Sequence, residues 1–194
     1  MTRRPKSPPD LPLLNWGAAR LDLIATRRRF WRQVALTGSG CTLVLGSILL
    51  PPRPLLIWNA SASAPVGLYL VSAPTKIEPG DMVAADLAQP YATFADQRHY
   101  LPHGVPLIKR VAAIEHDIVC ADADGVWVNG RWLVGRKMTD AVGRPMPSWT
   151  GCQYLGEGDV FLLMEEHVDS FDGRYSGVTA PQNIIGKVRL IWQR

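Results

Sequence analysis

The stretch Asn59–Tyr69, N-A-S-A-S-A-P-V-G-L-Y, lies where an apolar run gives way to a sequence typical of a folded domain. Small residues surround its two serines, Ser61 and Ser63, and leave room for the backbone of a bound peptide. Pro65 fixes the chain just after Ser63, and Gly67 permits a turn or a close approach of two backbones. The stretch is therefore a candidate site for a nucleophilic serine, although loops of this composition are more often solvated linkers.

The charge of the chain is unevenly distributed, which predicts how its N-terminal part is organised. Of the 194 residues 47% are hydrophobic, and the formal net charge is +4. Residues 1–33 contain eight Lys or Arg and two Asp, whereas the remainder contains thirteen basic and fifteen acidic residues. We interpret residues 1–33 as a basic cytoplasmic tail, with a proline-rich disordered segment over 1–18 and an amphipathic helix over 19–32.

An uncharged apolar run over residues 34–50 follows the basic tail. Its length is close to the minimum needed to cross a bilayer, so we predict a transmembrane helix. Because arginines precede this run, the positive-inside rule places residues 51–194 outside the cytoplasm. Two alternatives are a buried core helix and a cleavable signal peptide that ends at the alanines beside Ser61.

Residues 51–194 carry the patterns of one β-rich domain with no long amphipathic helix. The Asn129-Gly130 pair between two short apolar segments is typical of a tight hairpin. We expect residues 88–106 to form an irregular loop. The predicted strands cover residues 67–72, 82–87, 107–114, 118–121, 126–128, 131–133, 159–165 and 184–192.

Lys109 lies in the strand pattern L-I-K-R-V-A-A-I, in which alternate residues share a face. Leu107, Val111 and Ala113 fall on the same face as Lys109. Apolar surroundings disfavour the ammonium form and lower the pKa of a lysine, so that its neutral amine can act as a general base. The alternative is that Lys109 extends its amine to solvent, as most lysines on half-buried strands do.

A polar segment, Ser170–Gly177, follows the predicted strand over residues 159–165. Its composition is typical of a turn in which Asp172 and Arg174 form a structural ion pair. A lysine base also needs a neighbouring hydroxyl group that orients its amine, and Ser170 can supply one. The four histidines fall in no catalytic motif, and we interpret them as polar surface or core residues: His99, His103, His116 and His167.

The three cysteines show no metal-binding spacing, and we expect neither a metal nor a cofactor. Cys41 lies in the apolar run. Cys120 and Cys152 can pair as a disulfide if the domain occupies an oxidising compartment, and otherwise they are two unpaired buried thiols.

Three motifs occur in order behind the apolar run, namely S-A-P-V-G-L-Y, L-I-K-R-V and S-F-D-G-R-Y-S-G. Over residues 55–194 the chain resembles the type I signal peptidase superfamily, whose members are Ser-Lys serine proteases. The pattern S-x-P-x-G-L-Y, the segment G-R-P-M-P and the L-L-M strand are similar to the branch of TraF-type conjugative transfer signal peptidases. Enzymes of that branch mature the pilin of a conjugative type IV secretion apparatus.

The resemblance implies a mainly β, signal-peptidase-like catalytic domain over residues 51–194, behind one N-terminal transmembrane helix. It implies Ser63 as the nucleophile and Lys109 as its general base. The Ser61 hydroxyl and the Ser63 backbone N–H would stabilise the oxyanion of the tetrahedral intermediate. The resemblance also implies a location in the bacterial inner membrane, with the catalytic domain in the periplasm.

The third motif has supporting roles in such enzymes. Ser170 matches the serine that orients the lysine. Asp172 matches the aspartate of the motif, and we expect it to pair with Arg174 or to hold the loop in place rather than to transfer protons.

The expected partners are a prepilin or another exported preprotein, the lipid bilayer and other proteins of the transfer apparatus. Nucleic acid is not expected, because the basic tail leads directly into the apolar run. Water or an amine can resolve an acyl-enzyme, so the same dyad can hydrolyse or cyclise a pilin. The alternative functions are a general type I signal peptidase, which the short chain disfavours, and an inactive assembly subunit, although no motif is broken here.

Overall fold

The computed structural model describes residues 12–49 and 54–194. Helix α1, Pro12–Leu49, belongs to one compact unit of the chain, and residues 54–194 belong to another. The second unit contains the strands and two short helices, α2 (Tyr91–Gln97) and α3 (Gly173–Ser176), together with a 3-10 turn at Pro181–Asn183. The prediction of a β-rich domain is confirmed.

Helix α1 differs from the predicted organisation of the N-terminal part. Residues 12–18 are helical rather than disordered, and the prediction for residues 1–11 lies outside the described residues. Proline is tolerated at the first position of a helix, where its missing N–H has no partner to lose. No further proline occurs before residue 51, so a single helix runs from Pro12 into the apolar run.

Within residues 12–49 and 54–194, no helix is both long enough and apolar enough to cross a membrane. The predicted transmembrane helix over residues 34–50 is therefore not supported by the described part of the chain, and residue 50 lies outside that part. Glycine, serine and threonine in the first half of the run lower its mean hydropathy.

Ten strands lie in the second unit, and all their pairings are antiparallel. They are β1 (Leu56–Asn59), β2 (Gly67–Ser72), β3 (Met82–Ala85), β4 (Leu107–Ala113), β5 (Ile118–Ala121), β6 (Gly125–Val128), β7 (Arg131–Gly135), β8 (Gly151–Tyr154), β9 (Phe161–Leu163) and β10 (Ile184–Gln193). They form a six-stranded sheet in the order β1-β2-β10-β3-β4-β9 and a four-stranded sheet in the order β7-β6-β5-β8.

The six-stranded sheet brings distant parts of the sequence together. Strand β10, the last strand in the sequence, lies between β2 and β3 and therefore occupies an interior position in the sheet. Strand β4 lies between β3 and β9, and Lys109 on β4 stands opposite Val83 on β3. Lys109 is therefore carried by an interior strand, which pairs with a neighbouring strand on each side.

The four-stranded sheet contains a disulfide between Cys120 on β5 and Cys152 on β8. The two cysteines stand directly opposite each other in the antiparallel pairing. A buried apolar cluster that includes Val119, Val126 and Phe161 packs residues of this sheet against residues of the larger one. The Asn129-Gly130 hairpin joins β6 to β7, and both turn residues have positive φ.

The predicted secondary structure of the second unit lacked α2, α3, the 3-10 turn, β1 and β8. Helix α2 lies in residues 88–106, where we expected an irregular loop, and it shows no side-chain cap. Strand β8 has four exposed residues and hence no alternation of buried and exposed side chains that a sequence pattern could reveal. Strand β1 directly follows a proline-rich apolar segment, so the sequence pattern does not show where the strand begins.

Candidate active site

The loop between β1 and β2 carries both candidate serines. Ser61 is exposed, Ser63 is half-buried, and Ala64 next to it is buried. The loop ends at Gly67, where an added Cβ would overlap the carbonyl oxygen of Trp192 on β10. Glycine is required there because two backbones meet closely, and this contact fixes the exit of the loop against the interior of the sheet.

Lys109 reaches this loop from β4. Its Nζ lies 2.7 Å from Ser63 Oγ and 2.7 Å from Ser170 Oγ, so residues 46 and 61 positions away in the sequence meet at one amine. Only 3% of Lys109 is exposed. The alternative that this side chain extends to solvent is therefore not what the structure shows.

Burial changes the acid strength of this amine. Desolvation lowers the pKa of Lys109 from 10.5 to about 8, the nearby carboxylate of Asp172 opposes this change, and the Arg174 guanidinium adds to it. Desolvation dominates because transfer from water disfavours the charged form. A larger fraction of Lys109 than of an ordinary lysine is consequently neutral near physiological pH and able to accept a proton from a hydroxyl group.

The second hydroxyl at the amine, that of Ser170, is held by a buried ion pair. Asp172 and Arg174 are fully buried, and Arg174 Nε donates to Asp172 Oδ1 at 2.8 Å. Arg174 Nη2 also donates to the carbonyl oxygens of Met164 at 2.8 Å and His167 at 3.2 Å. The pair thereby connects the turn after β9 to the segment that carries Ser170, and the loop-holding role of Asp172 stays a prediction.

The short helix α3 begins at this ion pair. Asp172 is its N-cap, and Asp172 Oδ1 accepts from the Arg174 backbone N–H at 3.2 Å. A Cβ at Gly173 would lie 2.7 Å from the Leu162 carbonyl oxygen and from the Phe161 ring. The D-G-R order of the motif is thus explained by a cap, a close backbone approach and a buried counter-ion.

Arg136, which was not among the predicted site residues, supports the same helix. Its Nε and Nη2 donate to the Arg174 carbonyl oxygen at 2.8 Å and 2.6 Å. Its Nη1 donates to the carbonyl oxygens of Asp122 and Trp149, both at 2.7 Å. Trp149 Nε1 in turn donates to the Gly173 carbonyl oxygen at 3.1 Å. The four-stranded sheet therefore supports the loop that carries Ser170, and a lone arginine after a strand gives no sequence signal for this role.

The two proposed oxyanion donors contact each other. Ser61 Oγ lies 3.0 Å from Ser63 Oγ, and the Ser63 backbone N–H donates to Ser61 Oγ at 3.3 Å. Either hydroxyl group can be the donor in the contact between the two Oγ atoms. The structure therefore brings four of the predicted residues, Ser61, Ser63, Lys109 and Ser170, into one hydrogen-bonded network. Asp172 makes no hydrogen bond to these four, pairs with Arg174 and affects Lys109 through its charge.

Cys120 and Cys152 stand apart from this network, joined in the four-stranded sheet. Among the described residues, no group of His, Cys, Asp and Glu is arranged to hold a metal ion. What the site offers is a buried amine of lowered pKa in contact with two hydroxyl groups. Such an arrangement can transfer a proton from a serine that attacks a carbonyl carbon.

Comparison with known proteins agrees with this chemistry. A family model described as signal peptidase, peptidase S26 matches residues 28–193. A plasmid transfer protein TraF of Escherichia coli is 34% identical over 179 residues, which cover 85% of this chain and 98% of that protein. Another Escherichia coli plasmid transfer protein TraF is 36% identical over 130 residues, which cover 61% of this chain and 72% of that protein.

Among solved structures, a signal peptidase I of Enterococcus faecalis aligns with 60% of this chain and 100% of its own, at 17% identity and a TM-score of 0.36. The resemblance predicted from the three sequence motifs is confirmed by the family match and by the TraF relatives. The chain therefore belongs to the signal peptidase family, peptidase S26, and is a serine peptidase of that superfamily.

Proposed function

We propose that this peptidase uses Ser63 as its nucleophile and Lys109 as its general base, and that it processes the prepilin of a conjugative type IV secretion apparatus. The observation that carries the proposal is the buried amine of Lys109 at 2.7 Å from Ser63 Oγ. A serine is a weak nucleophile until a base accepts its proton, and Lys109 is the group in contact with it that can do so. The prepilin substrate is supported by similarity to plasmid transfer proteins.

The proposed reaction uses the contacts in the site. The neutral Lys109 amine accepts the proton of Ser63 Oγ while Ser170 Oγ accepts an N–H of the same amine and orients it. Ser63 Oγ bonds to the carbonyl carbon of the scissile peptide, and the resulting oxyanion accepts from the Ser63 backbone N–H and the Ser61 hydroxyl. In a serine protease, one oxyanion donor stabilises the transition state by about 2.7–4 kcal/mol.

Collapse of this tetrahedral intermediate breaks the peptide C–N bond. The Lys109 ammonium gives its proton to the departing amine, and the peptide carbonyl remains as an ester on Ser63. Water then attacks the ester and yields a trimmed peptide with a new carboxylate. If the N-terminal amine of the pilin attacks instead, a new amide closes the chain into a ring, and Ser63 is released in both cases.

The substrate is an extended peptide with small residues near the cleaved bond. Small side chains suit the alanine-rich loop around Ser63. Strand β1, an edge of the six-stranded sheet with alternately exposed residues, has a free side to which such a peptide can add as a further strand.

The experiment compares pilin in cells that carry the wild-type protein, Ser63→Ala or Lys109→Ala. We expect both variants to accumulate unprocessed prepilin. Ser72→Ala, an exposed serine on the neighbouring strand β2, is the matched control and should process normally. Processing by Ser63→Ala at the wild-type level would refute the proposal. The mass of the pilin separates the two outcomes of the acyl-enzyme, because a cyclic product is one water lighter than the trimmed linear peptide.

The same strains test the other functions. A general signal peptidase would cleave unrelated exported precursors when purified, whereas an enzyme dedicated to pilin would leave them intact. An inactive assembly subunit would support normal pilus production even with Ser63→Ala. We do not expect an inactive subunit, because the Ser-Lys contact is complete. We do not expect a general signal peptidase, because the chain is similar to plasmid transfer proteins.

We also propose that the catalytic domain works in the periplasm at the bacterial inner membrane, where its preprotein substrate emerges from the bilayer. The disulfide between Cys120 and Cys152 supports an oxidising compartment. The test is added protease on spheroplasts, which should digest the domain. Protection in spheroplasts together with digestion in inverted vesicles would place the domain in the cytoplasm and refute this location.

A further inference from the structure

Asn59 is a buried polar residue that the proposed reaction does not use. It is the last residue of β1, it stands opposite Gly67 on β2, and only 8% of it is exposed. The loop that begins after Asn59 and ends at Gly67 carries Ser61 and Ser63. A buried amide requires hydrogen-bond partners, and all the partners of Asn59 are backbone groups of this loop.

Its contacts lie on both sides of the nucleophile in the sequence. Asn59 Oδ1 accepts from the Ser61 backbone N–H at 3.1 Å, and Asn59 Nδ2 donates to the Ser61 carbonyl oxygen at 2.9 Å. Nδ2 also donates to the carbonyl oxygens of Ala64 at 3.0 Å and Pro65 at 3.1 Å. One side chain thus fastens the residues before and after Ser63.

We propose that Asn59 is a positioning residue, which presents the Ser61 and Ser63 hydroxyl groups to the substrate carbonyl and to Lys109. The proposal rests on Ser63 as the nucleophile. Asn59 acts through the loop backbone and touches no reacting atom. Misplacement of a reacting group by about 1 Å can lower the reaction rate roughly 100-fold. A side chain that fixes this loop can therefore have a large effect on the rate.

Only an amide satisfies this set of partners. The loop offers one N–H and three carbonyl oxygens, and asparagine combines an acceptor oxygen with an NH2 donor. Asn59→Asp has the same shape but turns a carboxylate oxygen toward the carbonyl oxygens of Ser61, Ala64 and Pro65. The repulsion displaces the loop while the rest of the sheet is left unchanged.

The test measures kcat and KM of the full-length protein with an internally quenched peptide that has small residues at the cleaved bond. We expect Asn59→Asp to lower kcat by roughly 100-fold. KM should change by less than about threefold, since a side chain as buried as Asn59 does not face the peptide. The reduced kcat should persist when it is corrected for the folded fraction by circular dichroism.

Asn129→Asp is the matched control. Asn129 Oδ1 accepts from the Ile118 backbone N–H at 2.9 Å, and its Nδ2 donates to Asp117 Oδ1 at 2.7 Å, in the four-stranded sheet. The same chemical change therefore disturbs a turn in the other sheet, and it should lower the melting temperature with kcat unchanged. A kcat of Asn59→Asp equal to that of Asn129→Asp would overturn the proposal.

If Asn59→Asp does not fold, kcat of Asn59→Ser tests the positioning role instead. A serine hydroxyl can still accept from the Ser61 N–H but donates only once, so kcat should fall between those of the wild type and of an unfastened loop. Wild-type kcat in folded Asn59→Ser would overturn the proposal. Ser63→Ala keeps the two hypotheses apart: activity in Ser63→Ala refutes the nucleophile, whereas full activity in Asn59→Asp alone refutes only the positioning role.

Discussion

The lowered pKa of Lys109 makes a quantitative prediction about the pH dependence of catalysis. Only the neutral amine can accept the Ser63 proton, and burial lowers the pKa from 10.5 to about 8. At pH 7 a lysine of pKa about 8 is neutral in roughly one molecule in eleven, against about one in three thousand for an unperturbed lysine. Burial therefore increases the reactive fraction at pH 7 by about 300-fold.

We expect kcat/KM to rise about tenfold per pH unit well below pH 8 and to level off above it, since this parameter reports the free enzyme. The same lowered pKa also predicts how the stability of the fold depends on pH. The folded-state pKa lies below the unfolded value, so burial of the ammonium opposes folding below pH 8, and this cost disappears as the pH rises from 8 to 10.5.

The assay measures kcat/KM of the full-length protein on a quenched peptide between pH 6 and pH 10, with tryptophan fluorescence to confirm folding at each pH. Lys187→Gln is the control, because Lys187 is a partly exposed lysine on β10 that pairs with Asp81. Its profile should match that of the wild type. A half-maximal rate below pH 7, or a rate that still rises at pH 10, would show that the amine of Lys109 is not the titrating base.

Three further variants test the hydroxyl group that orients Lys109, the buried ion pair and the disulfide. Ser170→Ala leaves one N–H of a buried amine without its acceptor, so we expect a loss of about 1–3 kcal/mol, or roughly 5- to 150-fold in kcat, measured by steady-state kinetics; an unchanged kcat would contradict the orienting role. Asp172→Asn leaves Arg174 buried without its counter-ion and should destabilise the fold by about 3–5 kcal/mol in urea unfolding. Wild-type stability would show that the pair is dispensable. Cys120→Ser should lower the free energy of unfolding by about 2–4 kcal/mol, because the disulfide with Cys152 closes a loop of 32 residues. Equal stability of this variant and the oxidised wild type would contradict that contribution.

The local patterns predicted from the sequence agree with the structure where they depend on neighbouring residues. Strand β2 was predicted over residues 67–72 with its observed bounds, and the Asn129-Gly130 hairpin forms as its turn residues indicate. The long helix α1 was predicted only in pieces, because the expected tail contains proline and charge. Strand β8 was not predicted, because none of its four side chains is buried and its sequence therefore shows no alternating apolar pattern.

The site itself depends on contacts that no local pattern contains. Alternation on β4 placed Lys109 among aliphatic residues, but the sequence left open whether its amine reaches solvent. That question is settled by the Ser63 and Ser170 hydroxyl groups, which contact the buried amine from distant parts of the chain. Arg136 and Asn59 act on backbone carbonyl oxygens, which every residue possesses, so their partners cannot be identified from residue types.

We expect Ser63 to become acylated during turnover in a step that needs Lys109. Acid quenching of the full-length enzyme with a peptide substrate at pH 8, followed by intact mass and peptide mapping, tests this expectation. We predict an adduct with the mass of the acyl part of the substrate, in ester linkage to Ser63, and its absence in Ser63→Ala and Lys109→Ala. An adduct on another residue, or product formation by Ser63→Ala at the wild-type rate, would contradict the account.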